Sequence, residues 1–107
     1  MTETAIKLEI TKTARAMGAK CHRLNAGRVR VKGGWMVFDE EGTPDLLTVW
    51  PGGITMYVEV KKPGEHPTDV QMKRHRELRD MEHAVVVCHS AEEFVEAAGE
   101  LRDTNGK

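Results

Sequence analysis

Gly42-Thr43-Pro44-Asp45-Leu46-Leu47 leads, across the turn Pro51-Gly52-Gly53, into a run that ends Glu59-Val60-Lys61. Turn residues between two apolar runs predict a β-hairpin, with strands over 45–50 and 54–61. Side chains alternate along a strand, so Ile54, Met56, Val58 and Val60 share one face. Thr55, Tyr57, Glu59 and Lys61 take the other, and Glu59 and Lys61 point the same way. Asp45 opens the neighbouring strand, and the hairpin register decides whether it faces Glu59. In the register that opposes them, two carboxylates and an ammonium converge. Mg²⁺ favours carboxylate oxygens, retained water and phosphate. A metal held there polarises a phosphate and acidifies a water. Lys61 can orient that water or offset charge developing on phosphorus. The carbonyl of Val60 is a further candidate ligand. The competing reading is a surface Glu–Lys pair beside a turn aspartate. Glu-x-Lys alone favours that reading, because so short a motif often matches by chance.

The rest of the chain bounds what such a cluster can be. Its 107 residues suit one domain, 1–107, with a modest core. Hydrophobic residues make up 39% and charged residues 31%, which excludes a disordered chain. No apolar run has the length of a membrane span, and the N-terminus has no secretory h-region. A cytoplasmic protein is therefore expected. Cys21 and Cys88 are too few for a disulfide framework, and the Cys-His pairs lack zinc-site spacing. Net charge is −1, yet the cations cluster. Lys20, Arg23, Arg28, Arg30 and Lys32 occupy a window without acids, and Lys73, Arg74, Arg76 and Arg79 form a second group. Charge runs are usually solvated faces; two such groups flanking a carboxylate cluster are candidate phosphate contacts.

In chain order, Ile6, Ile10, Ala14 and Met17 predict a helix over 3–17, stopped by Gly18. Glu3 lies near its inward stripe, with Glu9 a poorer alternative. Residues 19–24 alternate as a strand. A long basic, glycine-rich connection over 25–43 follows, holding the alternating Arg28–Lys32 and the apolar Trp35-Met36-Val37-Phe38. After the hairpin, Thr68-x-x-Gln71 predicts a capped helix over 69–81 with Val70, Met72 or Lys73, His75, Leu78 and Met81 inward. Ala84–Cys88 is a buried strand. Ser90-x-x-Glu93 is a second capping box opening a last helix, and 103–107 is expected to fray. Trp35 and Trp50 are read as core or interface aromatics rather than base-stacking ones. The order implies an α/β fold, a mixed sheet flanked by helices.

Gly42-x-Pro44-Asp45 with Glu59-Val60-Lys61 resembles the PD-(D/E)XK nucleases, and most of all the virus-type replication-repair nuclease (VRR-NUC) family. The similarity runs from the first helix with its early Glu to the Val-rich strand and Ser-x-x-Glu. It implies a restriction-endonuclease-like αβββαβ core. It also implies a Mg²⁺-dependent DNA endonuclease, with Mn²⁺ able to substitute, acting on branched or junction DNA such as a Holliday junction. Asp45 and Glu59 match the metal-binding acids, Lys61 the catalytic lysine, and Gln71 the glutamine opening the next helix. Glu3 takes the place of the first-helix acid. Arg23, Arg28, Arg30, Lys32, Lys73, Arg74 and Arg76 are the expected DNA contacts. The resemblance also implies a homodimer or higher homo-oligomer, with Trp35–Phe38 a candidate contact. The alternatives are a non-catalytic DNA-binding or assembly module on the same fold, and a restriction-type endonuclease.

Overall fold

The computed structural model describes residues 1–24, 28–37 and 41–105, with side chains at all of these except 28, 29, 35–37 and 105. The elements run α1 (Glu3–Ala16), β1 (Lys20–Arg23), β2 (Arg28–Val31), β3 (Gly34–Val37), β4 (Leu46–Trp50), β5 (Ile54–Val60), α2 (Asp69–Asp80), β6 (Ala84–Cys88) and α3 (Ala91–Asn105). Four strands form a sheet in the order β1-β4-β5-β6. β1–β4 and β4–β5 are antiparallel, and β5–β6 is parallel, with α2 as the crossover. This is the mixed sheet that the sequence predicts.

The two faces of the hairpin separate the core from the site. Leu46 and Trp50 of β4 and Met56, Val58 and Val60 of β5 are buried with Ile6, Ile10 and Ala14 of α1 and Phe94 and Ala98 of α3. Thr48 is the polar member of this face. Its hydroxyl donates to the Met56 carbonyl at 2.8 Å and accepts from Trp50 Nε1 at 2.9 Å, so burying it leaves nothing unsatisfied. Trp50 stacks on Phe94 and is a core aromatic. The opposite face carries Glu59 beneath α2. Thr2 caps α1 through the Ala5 amide, and Gly18 ends it, its amide bonding the Arg15 carbonyl. Among the described residues no helix is long and apolar enough to cross a membrane.

Four expectations change. The connection over 25–43 is not featureless, because β2 and β3 pair antiparallel as a separate two-stranded sheet. Phe38 of the apolar segment, and the side chains of Trp35, Met36 and Val37, lie outside the described residues, as does the side chain of Arg28. The inward side of α2 is narrower than the expected set: His75 is buried and Leu78 half-buried, but Val70, Met72 and Met81 are exposed. Ser90 does cap the Glu93 amide, but the Glu93 carboxylate reaches the His89 amide and ring instead of closing the box. The expected fraying from 103 is not seen either, since α3 continues through Asn105; residues 106 and 107 lie outside the described ones.

Candidate active site

The β4–β5 register pairs Leu46 with Val58. Asp45, one residue before, and Glu59, one residue after, therefore come opposite each other. Asp45 Oδ2 accepts the Val60 amide at 2.7 Å, and the Asp45 carbonyl accepts the Leu24 amide at 2.9 Å. The aspartate is thus fixed at the mouth of the sheet by both neighbours. Gly42 shapes the approach. Its φ of 86° is left-handed, and a Cβ there would lie 2.7 Å from the Val70 carbonyl oxygen, so α2 packs against a backbone that only glycine allows.

Glu59 is 1% exposed and His75 2%. His75 Nε2 stands 3.2 Å from Glu59 Oε1, and Gln71 Nε2 donates to Oε2 at 3.3 Å. Gln71 and His75 are one helical turn apart on α2, so one helix face brackets one carboxyl. Gln71 also completes the capping box with Thr68, so one side chain both caps α2 and touches Glu59.

Burial, then a side-chain hydrogen bond with Asp45 and the Asp45 charge, push the Glu59 carboxyl up to about 9. The Lys61 charge works the other way, and Glu3 adds a small push upward. Burial and the charge of Arg79 hold His75 below its ordinary value. At 3.2 Å the two groups satisfy a salt-bridge distance. Both shifts favour the neutral forms, however, so the contact is an uncharged hydrogen bond. At the acid pair a buried Glu59 that favours its neutral form thus faces a half-buried Asp45. A divalent cation neutralises such a pair better than one proton, and an all-oxygen donor set suits Mg²⁺ or Mn²⁺. The residues present fit a metal of that class, held by Asp45 and Glu59.

Glu3 is not drawn into the pair directly. Among the described residues no three His, Cys, Asp or Glu side chains converge as a metal cluster. Instead Lys7 intervenes, its Nζ 3.2 Å from Asp45 Oδ1 and 4.0 Å from Glu3 Oε1. Lys61 is half-buried two residues after Glu59, and its charge favours the ionised form of that carboxyl. Arg23, Arg30, Lys32, Lys73 and Arg76 are exposed, whereas Arg74 is half-buried and donates to Glu77 at 2.9 Å. Two site residues were not legible as such. His75 appeared only as one position of an apolar stripe, although its spacing from Gln71 places both on one face. Lys7 was not singled out in the sequence, because its contact with Asp45 is tertiary.

The VRR-NUC domain profile matches residues 39–92, a span that runs from the turn before Asp45 through the start of α3. The chain belongs to the VRR-NUC family. A solved VRR-NUC domain structure superposes with a TM-score of 0.69, covering 91% of this chain and 94% of that one at 22% identity. At that identity the likeness is one of fold, and it agrees with the α/β architecture. A protein of Acyrthosiphon pisum secondary endosymbiont phage 1, named "Putative nuclease p44", is 43% identical over 49 residues. Those residues are 46% of this chain and 53% of the relative, so the match spans about half the length of that relative. The VRR-NUC profile covers Asp45, Glu59, Lys61, Gln71 and His75, and leaves out Glu3 and Lys7.

Proposed function

We propose that this VRR-NUC domain is a divalent-metal-dependent DNA endonuclease selective for branched or junction structures. The observation that carries the reading is the register that sets Asp45 opposite the buried Glu59, with Lys61 on the Glu59 face. Asp45 and Glu59 would hold Mg²⁺, or Mn²⁺ in its place, with the Val60 carbonyl as a further oxygen donor. When bound, the cation supplies Lewis acidity toward the scissile phosphate and acidifies a neighbouring water. The chain's own residues do the rest. Asp45, fixed by the Val60 amide, sets where charge is neutralised. Gln71 and His75 hold the Glu59 carboxyl in one orientation. Lys61 places an ammonium where the attacking water or the charge growing on phosphorus can meet it.

Arg23, Arg28, Arg30 and Lys32 before the site, and Lys73, Arg74 and Arg76 on α2 after it, are the proposed phosphate contacts. Such contacts position a duplex without reading its sequence, which suits recognition by shape. A homodimer would present two such sites to two strands. The test is cleavage of a panel of plain, flapped and four-way DNAs with and without Mg²⁺, using wild type, Asp45→Ala and Lys61→Ala. Both variants should lose cleavage while keeping their circular dichroism. Full activity in both would remove the assignment. Metal-independent DNA binding with no cleavage by wild type would favour the assembly-module reading.

A further inference from the structure

The Lys7 ammonium lies between two carboxylates, Asp45 at 3.2 Å and Glu3 at 4.0 Å. Its side chain is 20% exposed and that of Asp45 19%, so the contact is partly screened from water. The backbone under it is fixed: Ile6 and Ile10, on either side in α1, are buried in the core. Asp45 presents its other oxygen to the Val60 amide, and shares a hydrogen bond with Glu59. The outward side of Asp45, facing α1, is thus already held by a cation. A monovalent cation between two carboxylates occupies the place of a bridging ion. A divalent ion placed there as well would meet the ammonium at contact distance and be repelled.

Resting on the metal-dependent reading of the site, we propose that Lys7 sets the metal count. It fills the Asp45–Glu3 position as a built-in cation, so the site takes one divalent ion, between Asp45 and Glu59. Removing the ammonium opens a second position between Asp45 and Glu3. Lys7 is in this sense a specificity-determining residue for the cation and not a phosphate contact.

Titration of the full chain with Mn²⁺, read by calorimetry and by the electron-spin signal of the free ion, tests this without any turnover. Wild type is expected to bind one ion per chain, and Lys7→Ser two. Lys7→Met, which keeps most of the stem, should also bind two if Lys7→Ser is poorly folded, and Lys7→Arg should return the count to one. One ion in both wild type and the neutral variants overturns the proposal while leaving the metal site intact. Two ions in wild type overturn it as well. No Mn²⁺ bound by any of them removes the metal-dependent reading together with this one.

Discussion

Glu59 sits where a carboxylate is least favoured, buried and opposite a second acid. Its pKa of about 9 is raised from 4.5, so the folded chain keeps a proton that the unfolded chain releases. That contribution to stability is fully present below about 4.5 and is lost as pH rises toward about 9. Glu59→Gln keeps the shape and a hydrogen-bonding end, and removes the titration. Denaturant midpoints measured from pH 5 to 9 should therefore fall for wild type relative to Glu59→Gln; parallel curves would mean that Glu59 does not titrate in this window. The same variant should lose metal-dependent cleavage, since a neutral amide cannot supply the charge. His75 is predicted to position Glu59. His75→Leu should weaken Mn²⁺ binding about tenfold, about 1.4 kcal/mol, through loss of one buried hydrogen bond. His75→Gln, which can still donate, should recover most of it. Equal binding by Leu and Gln variants, at equal folded stability, would make His75 a packing residue only.

At the scale of elements, the hairpin was legible because its period and its Pro-Gly-Gly turn are local properties, whereas the meeting of Asp45 and Glu59 depends on a register that only the fold supplies. The inner face of α2 was not legible from apolar pattern. That helix lies over a polar group, with His75 buried and Gln71 half-buried against Glu59, so the usual apolar-inward rule fails there. The β6–α3 junction has a pH-dependent joint of its own. His89 directs Nδ1 to the Glu93 carboxylate at 2.9 Å and Nε2 to the Glu65 carbonyl at 2.9 Å. Both partners only accept, so the ring is fully satisfied as the imidazolium. The hydrogen bond with Glu93, then that with Glu65, raise the His89 pKa above 6.5. Its stabilisation is present below 6.5 and lost as pH rises through the raised value. His89→Ala should accordingly be most destabilising near pH 5.5 and least near pH 8.5, read by thermal melts; a constant difference would deny the joint a charge. Gly42→Ala tests the α2 contact. A left-handed alanine and a Cβ 2.7 Å from the Val70 carbonyl oxygen should cost about 2 kcal/mol or more in urea unfolding.

For the whole molecule, the four-stranded order follows from the chain's alternation of strand and helix signals, and the long middle connection did not yield to them. Arg28–Val31 alternates, but Gly34–Val37 has no such period, so their pairing shows only in the fold. The result is a basic hairpin that forms a sheet apart from the one carrying the acids, with Arg30 and Lys32 exposed. The second basic group stands on α2, the helix that carries Gln71 and His75. Net charge of −1 gives such a chain little general attraction for DNA, so the binding proposed above would have to come from these local clusters. Each phosphate neutralised on duplex DNA contributes about 0.9 to the slope of log affinity against log salt. If Arg30 and Lys32 each contact one phosphate of a duplex arm, Arg30→Ser with Lys32→Ser should make that slope shallower by about 1.8. The affinity loss should be similar for different sequences, because phosphate contacts carry no base information. The pair lies away from the main core, so melting should be unchanged, and binding measured in Ca²⁺ or without metal separates it from catalysis. An unchanged salt slope would take the hairpin out of the DNA interface and leave α2 as the sole basic flank of the site.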